Sequence, residues 1–268
     1  LQSVVVGKGV VELDSALNEG AFEGCTALTS VTLSRGLEVI GSETFRGCTA
    51  LPAIHIPDTV KVIGYKAFNG CDSLKELIIP DSVTTIKSGD WESEASLGNC
   101  ASLQRIVLGK NVEGTLYGCR SNPSLTSVEF RGNKISEIGN NAFSKNPKLT
   151  SITLPSGVEF VGHSAFSDCT SLTSVKLNEG IGYIDRWCFE GCTALQTITI
   201  PSSVCNFGEN VFSGCSSLKT VMFKPCFNAN EYKTNIIGPY RGSGLVVSCY
   251  GNSQFKEDLQ ADGSDRYD

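Results

Sequence analysis

The chain has 268 residues, of which 40% are hydrophobic and 19% are charged. This balance is typical of a folded protein and excludes a disordered chain, because enough apolar surface can be buried to offset the entropy of ordering. The formal net charge is −6, and the sequence contains no Lys/Arg run. Both features argue against nucleic acid or an anionic membrane as the partner, since these ligands require a basic surface.

No apolar stretch of about 18 residues is present, so we expect no membrane insertion in this segment. The N-terminus, Leu1 to Val6, lacks a charged region followed by a long apolar run, so we expect no signal peptide here. Twelve cysteines would indicate disulfides in a short secreted chain. In this long chain most of them instead recur at regular intervals.

A unit of 23 residues repeats along the chain and is interrupted only in its middle. Its anchor is Phe or Leu followed three residues later by Cys, and we name these the Phe position and the Cys position. The pairs are Phe22/Cys25, Phe45/Cys48, Phe68/Cys71, Leu97/Cys100, Leu116/Cys119, Phe143/Asn146, Phe166/Cys169, Phe189/Cys192 and Phe212/Cys215. A repeat of this length indicates a stacked, one-dimensional fold.

Three residues after the Cys position, each unit has Leu and then two apolar residues that alternate with a polar one, as in Leu28 to Leu33. The alternation predicts a short, half-buried strand. The equivalent segments include Leu51 to Ile56, and also Leu125 to Phe130, which fits after a delay of three residues. Several of these strands are followed by Pro, which cannot donate to a sheet.

The second half of each unit is an apolar segment that ends in Gly-x-x-Ala-Phe, as in Val60 to Phe68. We expect this glycine to free the backbone at a turn and the segment to form an irregular or 3₁₀-like return. Stacked units can bury faces that a single unit cannot, with strands about 4.8 Å apart. The sequence therefore predicts a right-handed, curved leucine-rich-repeat solenoid with one parallel β-sheet on one face and nine to ten coils.

This unit resembles the BspA-like leucine-rich repeat, whose pattern is C-x-x-L-x-x-I-x-I-P-x-x-V-x-x-I-G-x-x-A-F. The resemblance covers residues 1 to about 223. It implies a secreted or cell-surface protein that adheres to host extracellular-matrix proteins or to other cells. The identity of the partner does not follow from the residues themselves.

The predicted solenoid comprises residues 1–223, with irregular coils at 87–148. Residues 224–268 are predicted to be a C-terminal capping segment with a polar tail, since the end of a stack must cover its core. Leu245 to Tyr250 is predicted to be the last strand. No comparable cap precedes Leu1, so we expect either further coils before it or an open edge.

The repeat aligns the outward residues of successive strands on the predicted concave face. Ile78 and Val107 are expected to be adjacent exposed apolar residues among charged ones, a mixture typical of interaction sites. The predicted binding residues on this face are His55, Glu76, Ile78, Arg105, Val107, Glu129 and Lys176. The alternative is that this face serves solubility only.

An insertion at 87–95 replaces one return segment, and insertions in repeat proteins map to loops that often bind ligands. Trp91, Tyr117 and Arg120 are therefore predicted to form a second binding site. The alternative is that Trp91 covers the packing gap left by a missing Phe.

The chain has only two histidines, His55 and His163, and no nucleophile or phosphate-binding motif. We therefore predict a protein that is not an enzyme, with no cofactor and no metal site. His163 is predicted to have a surface or packing role. The acidic residues are scattered, so a two-carboxylate glycosidase is not indicated.

The cysteines at the Cys position are predicted to point inward as a ladder of free thiols, although neighbouring coils lie within disulfide distance. Cys205 and Cys226 lie outside this ladder on consecutive coils. Either a disulfide between them or two separate thiols is compatible with the sequence.

These observations together predict a monomeric, non-catalytic module that binds a protein ligand. Two other classes stay open. One is a structural spacer that displays another domain. The other is a carbohydrate-binding surface protein, for which Trp91, Tyr117 and Tyr65 are the candidate aromatic residues.

Overall fold

The computed structural model describes residues 1–14, 20–88 and 96–224, and the backbone of 246–249. The described residues form nineteen β-strands, and no helix occurs among them. The chain divides into two compact units, Leu1–Ile135 and Ser136–Asp268. Each unit is built of coils whose strands pair in parallel with those of the next coil, so the predicted leucine-rich-repeat solenoid is confirmed.

In the first unit, the strands that lie at the repeat position shortly after the Cys position form the main sheet. They are β1 (Ser3–Val5), β3 (Ser30–Thr32), β6 (Glu76–Ile78), β8 (Arg105–Leu108) and β10 (Ser127–Phe130). β1 pairs with β3, and β6, β8 and β10 form a three-stranded parallel sheet with β8 in the centre. Alternating β-branched residues favour these short extended segments.

The main sheet is interrupted at Leu51 to Ile56, where the sequence predicts a strand and the structure has none. In several other coils the backbone N–H just before the strand donates to the preceding coil. Thr126 N, for example, lies 2.9 Å from Gln104 O. Pro52 takes this place and has no N–H to donate, which accounts for the missing strand.

The return side is more regular than predicted, because a second parallel ladder of short strands precedes the turns. In the first unit these strands are β2 (Glu12–Leu13), β4 (Val39–Ile40), β5 (Val62–Ile63), β7 (Thr85–Ile86) and β9 (Gly114–Leu116). β2, β4, β5 and β7 pair in that order. Turns follow this second ladder, and no 3₁₀ helix is present within the described ranges.

Where a glycine follows a second-ladder strand, as at Gly41, Gly64 and Gly208, close packing requires it, and the expectation that it frees a turn is wrong. A Cβ at Gly64 would lie 2.3 Å from Ser42 N of the preceding coil. Gly64 has no left-handed φ. That conformation occurs two residues later, at Lys66, whose φ is 52°.

The second unit repeats both ladders. Its main-sheet strands are β12 (Ser151–Thr153), β14 (Ser174–Lys176), β16 (Thr197–Ile200), β18 (Thr220–Phe223) and β19 (Val246–Cys249). Its second ladder contains β11 (Ile135–Ile138), β13 (Phe160–Val161), β15 (Tyr183–Ile184) and β17 (Asn206–Phe207). β19 pairs in parallel with β18, which confirms a strand within the predicted range Leu245 to Tyr250.

Each unit has a core column of stacked aromatic rings at the Phe position. In the first unit the ring centroids of Phe22, Phe45 and Phe68 are 5.5 and 5.7 Å apart. In the second unit the four rings of Phe143, Phe166, Phe189 and Phe212 are separated by 5.4, 5.4 and 5.6 Å. All of these side chains except Phe22 are fully buried.

The coil that contains Cys119 has a different register from the predicted one. Leu97 N donates to Gly118 O at 2.8 Å, a bond that in regular coils joins the Phe position to the alanine before the next Phe position. Cys119 therefore occupies the Phe position, and Asn122 occupies the Cys position. The predicted pair Leu116/Cys119 is wrong, and the three-residue delay before the next strand disappears.

Cysteine and asparagine perform the same task at the Cys position, which is to bond a buried carbonyl. In regular coils the thiol donates to the carbonyl of the Phe position one coil earlier, as Cys71 Sγ does to Phe45 O at 3.2 Å. Asn122, which is fully buried, donates to Leu97 O at 3.2 Å instead. Its Oδ1 accepts from Cys100 N at 3.0 Å.

Candidate functional site

Strand register brings five of the six predicted residues of the first unit together on the main sheet, all except His55. Ile78 of β6, Val107 of β8 and Glu129 of β10 form one row across the three strands. Glu76 and Arg105 are paired in the neighbouring row. The predicted alignment of outward residues is therefore confirmed, and we name Glu76, Ile78, Arg105 and Glu129 the main-sheet strip.

Ion pairs connect the charged residues of the strip. The Arg105 guanidinium donates to Glu76 through Nη1 and to Glu129 Oε2 through Nη2, the latter at 2.6 Å. Arg131 Nε lies 3.2 Å from the other Glu129 oxygen. The hydrogen bond from Arg105 holds the pKa of Glu129 below its ordinary value, and that from Arg131 adds to the effect. Arg105 is thus oriented by two carboxylates.

The two apolar residues of this face differ in exposure. Ile78 is 41% exposed, as predicted, whereas Val107 is fully buried, so the prediction of an exposed Val107 is wrong. Val107 is a short side chain on the central strand, and it lies between the longer side chains of Ile78 and Glu129. These neighbours cover it from both sides, which leaves Ile78 as the apolar contact of the strip.

His55 and Lys176 are exposed, but they lie in different surroundings. His55 is in the interrupted coil, outside any strand. Lys176 is on β14 of the second unit, where β14 and β16 are not hydrogen-bonded neighbours. With Lys224 and several Ser/Thr side chains it lines a cleft of about 440 Å³ between these strands.

The predicted irregular-loop site is described only in part. Tyr117 and Arg120 are half-buried in the segment that follows β9. Trp91 lies outside the described residues. The grouping of these three residues into one site therefore stays a prediction.

The described cysteines at the Cys position are thiols, as predicted. Burial raises the pKa of Cys100 to about 12, and the pKa of Cys215 to about 12. Cys188 at the alanine position is also buried, with a pKa well above its ordinary value. Since the thiolate is the reactive form, these groups are poor nucleophiles near neutral pH.

Cys205 is disulfide-bonded, and its partner is not among the cysteines whose side chains the structure describes. Cys226 lies outside the described residues. The pairing of Cys205 with Cys226 therefore stays a prediction.

Two general features of the described residues bear on function. They contain no group of three His, Cys, Asp or Glu side chains that could hold a metal ion. In the same part of the chain there is no helix with the length and apolar character needed to cross a membrane.

Sequence reasoning missed an aromatic surface in the second unit. The rings of Phe160 and Tyr183 stack at 5.2 Å on adjacent second-ladder strands. His163 packs edge-on against Trp187 at 5.1 Å, in agreement with its predicted packing role, and the Arg186 guanidinium lies 5.3 Å from the Trp187 ring. The signal was present in the sequence, because Phe160 and Tyr183 occupy the same repeat position in consecutive units.

A parallel solenoid with a buried Phe and Cys column defines a leucine-rich-repeat protein. The BspA type leucine rich repeat region matches residues 15–148 and 136–236, in six copies. The chain belongs to this family. No curated protein matches the sequence.

Three bacterial proteins are among the solved structures that match the chain, each with a TM-score below 0.5. A leucine rich cell surface protein from Faecalibacterium prausnitzii is 21% identical over 100% of this chain and 83% of that chain, with a TM-score of 0.41. The T. pallidum leucine rich repeat protein is 26% identical over 81% of this chain and 77% of that chain, with a TM-score of 0.47. The pneumococcal vaccine antigen PcpA is 20% identical over 85% of this chain and 63% of that chain, with a TM-score of 0.46.

Proposed function

We propose that the chain is a non-catalytic protein-binding module of a secreted or cell-surface protein and that the main-sheet strip contacts the partner. The observation that carries this proposal is Ile78, a large apolar side chain that is 41% exposed beside the ion-paired Glu76 and Arg105. An apolar contact surrounded by oriented charged groups is the usual composition of a binding surface.

Membership in the BspA-type family supports a location at the cell surface and an adhesive role. The partner would be a host extracellular-matrix protein or a protein on another cell. The module would act as a monomer, and the strip would use Ile78 for affinity and the Glu76, Arg105 and Glu129 charges for selectivity.

Binding of the intact chain to a panel of purified extracellular-matrix proteins, measured by surface plasmon resonance, tests the proposal. The test variant is the double substitution Ile78→Ser and Arg105→Ala. The matched control is Thr199→Ala, a change at the same repeat position on β16, where the side chain is also exposed. The melting temperatures of the wild type, the double variant and the control variant are also compared.

We expect the double variant to bind at least about tenfold more weakly than the wild type, at an unchanged melting temperature, because the contact is lost from an exposed site. The control should bind like the wild type. Equal affinity of the double variant and the wild type would refute the assignment of the strip. Failure of the wild type to bind any protein would favour the structural spacer.

A further inference from the structure

The aromatic column on the second ladder ends at Tyr183. Phe160, Tyr183 and Asn206 occupy equivalent places on β13, β15 and β17. Phe160 covers one face of the Tyr183 ring at a centroid distance of 5.2 Å. On the other side the next residue in register is Asn206, whose short amide does not continue the stack. The stack therefore ends at Tyr183, and Tyr183 and Asn206 both line the space next to this end.

This ring borders an open depression of about 500 Å³, which is within the size range of small-ligand sites. The polar side chains that line it are Ser156, Glu159 and Asn206, and all three are exposed. The Glu159 and Asn206 side chains make no hydrogen bond or ion pair with any described residue. They are available to a ligand beside the aromatic ring.

A glycine keeps this depression open. Gly182 lines it, and a Cβ there would meet only Glu159 O, at 3.9 Å. Gly182 has no left-handed φ, so neither packing nor backbone conformation requires a glycine. The equivalent residue in other coils has a side chain, as Lys61 and Glu159 do.

The Tyr183 hydroxyl fixes the ring in place. It donates to Asp185 Oδ1 at 3.2 Å, and burial together with the Asp185 charge raises the pKa of Tyr183 above its ordinary value. The phenol is thus neutral and the orientation of its ring is set before a ligand arrives, which lowers the entropy lost on binding.

We propose that this depression binds a neutral, pyranose-containing glycan, independently of the main-sheet strip. A pyranose has an apolar face of C–H groups that fits an aromatic ring, whose face carries partial negative charge. Its hydroxyls can donate to the Glu159 carboxylate and exchange hydrogen bonds with the Asn206 amide. Among the described residues, Glu159 is the only charged one that lines the depression, and it repels acidic sugars.

Saturation-transfer-difference NMR on the intact chain tests this proposal with four neutral disaccharides, namely cellobiose, lactose, maltose and chitobiose. A disaccharide from hyaluronan, which contains glucuronate, is the acidic probe. We expect saturation transfer to at least one neutral probe, with a Kd on the order of 1 mM, and none to the acidic probe. No transfer to any neutral probe, or transfer to the acidic probe alone, would overturn the proposal.

Three variants locate the site. Tyr183→Phe keeps the ring and should retain binding, whereas Tyr183→Ala should weaken it at least about tenfold because the stacking surface is lost. Gly182→Lys adds the side chain that Lys61 has in the first unit and should abolish binding by filling the depression, with the fold intact.

If Tyr183→Ala does not fold, Gly182→Lys decides the question, and wild-type affinity in that variant contradicts the proposal. The Ile78→Ser and Arg105→Ala double variant should bind the glycan normally, which separates this site from the proposed protein-binding strip.

Discussion

Two regions of the same repeat differ in composition. One is the turn that joins the Phe position to the Cys position, and the other is the outward row of the main sheet. At the turn, Phe45 and Phe68 are fully buried, and so are Cys48 and Cys71. The outward row of the sheet instead contains apolar, polar, acidic and basic residues in succession. The turn must fill a core and bond a buried carbonyl in every coil, whereas the outward row has no such requirement and is open to functional change.

The strongest test of this difference is Phe45→Ala. Phe45 is stacked between two rings, and its removal leaves a cavity in a fully buried column. We expect the free energy of unfolding to fall by about 3 to 5 kcal/mol, measured by urea unfolding. Phe22→Ala is the matched control, with a smaller loss, because Phe22 is half-buried. Equal losses in the two variants would contradict this account.

The second test concerns the buried carbonyl. Asn122→Ala removes the amide that bonds Leu97 O and Cys119 O and that accepts from Cys100 N. We expect a loss of about 3 kcal/mol in the free energy of unfolding, since buried polar groups are left without partners. Asn122→Cys should recover part of this loss, because a thiol bonds the same carbonyl in regular coils. A loss in Asn122→Ala below about 0.5 kcal/mol would mean that the carbonyl needs no partner.

The third test uses pH. Burial raises the pKa of Cys100 from 9.0 to about 12, so the native state holds this proton more tightly than the unfolded state. The resulting stability is fully present below about pH 9 and is lost as the pH rises towards 12. The other buried thiols add to the same trend. The unfolding free energy of the wild type should therefore fall as the pH rises from about 9 towards 12. In Cys100→Ala this fall should be smaller by about 1.4 kcal/mol per pH unit. Parallel pH profiles for the variant and the wild type would rule this out.

A fourth, smaller effect is expected at the interrupted coil of the main sheet. Pro52→Thr supplies the missing backbone N–H and should raise the free energy of unfolding by about 0.5 kcal/mol, because the new hydrogen bond is partly offset by a more flexible unfolded chain. Hydrogen exchange is the direct measurement. We expect a protected amide at residue 52, and rapid exchange there would show that the strand has not formed.

The smallest effect is expected on the main-sheet strip itself. Arg105→Ala removes ion pairs at exposed side chains, which are weak in water. We expect no measurable change in the melting temperature, in contrast to the turn variants. A clear decrease would mean that the strip is part of the stabilising framework, and the distinction between the two regions would then fail.

The repeat, the strand positions and the inward thiols could be predicted from the sequence because each recurs at a fixed spacing. Exceptions confined to one coil could not be predicted in the same way. Pro52 removes one hydrogen bond, and Asn122 shows its role only through its bonds to a neighbouring coil. Val107 occupies an outward place, yet its neighbours cover it. The second ladder was missed because most of its strands have only two residues, which is too short to show alternation.

The thiol ladder also affects the conditions in which the coils can fold. A cysteine that donates its proton to a carbonyl, such as Cys71 to Phe45 O, requires no oxidant to make its contact. Oxidation would remove that donor, but the raised pKa of the buried thiol disfavours the thiolate through which oxidation proceeds. The coils of the first unit, whose described cysteines are all thiols, can therefore assemble in the same way in a reducing cell interior and in an oxidising exterior, without a disulfide-forming catalyst.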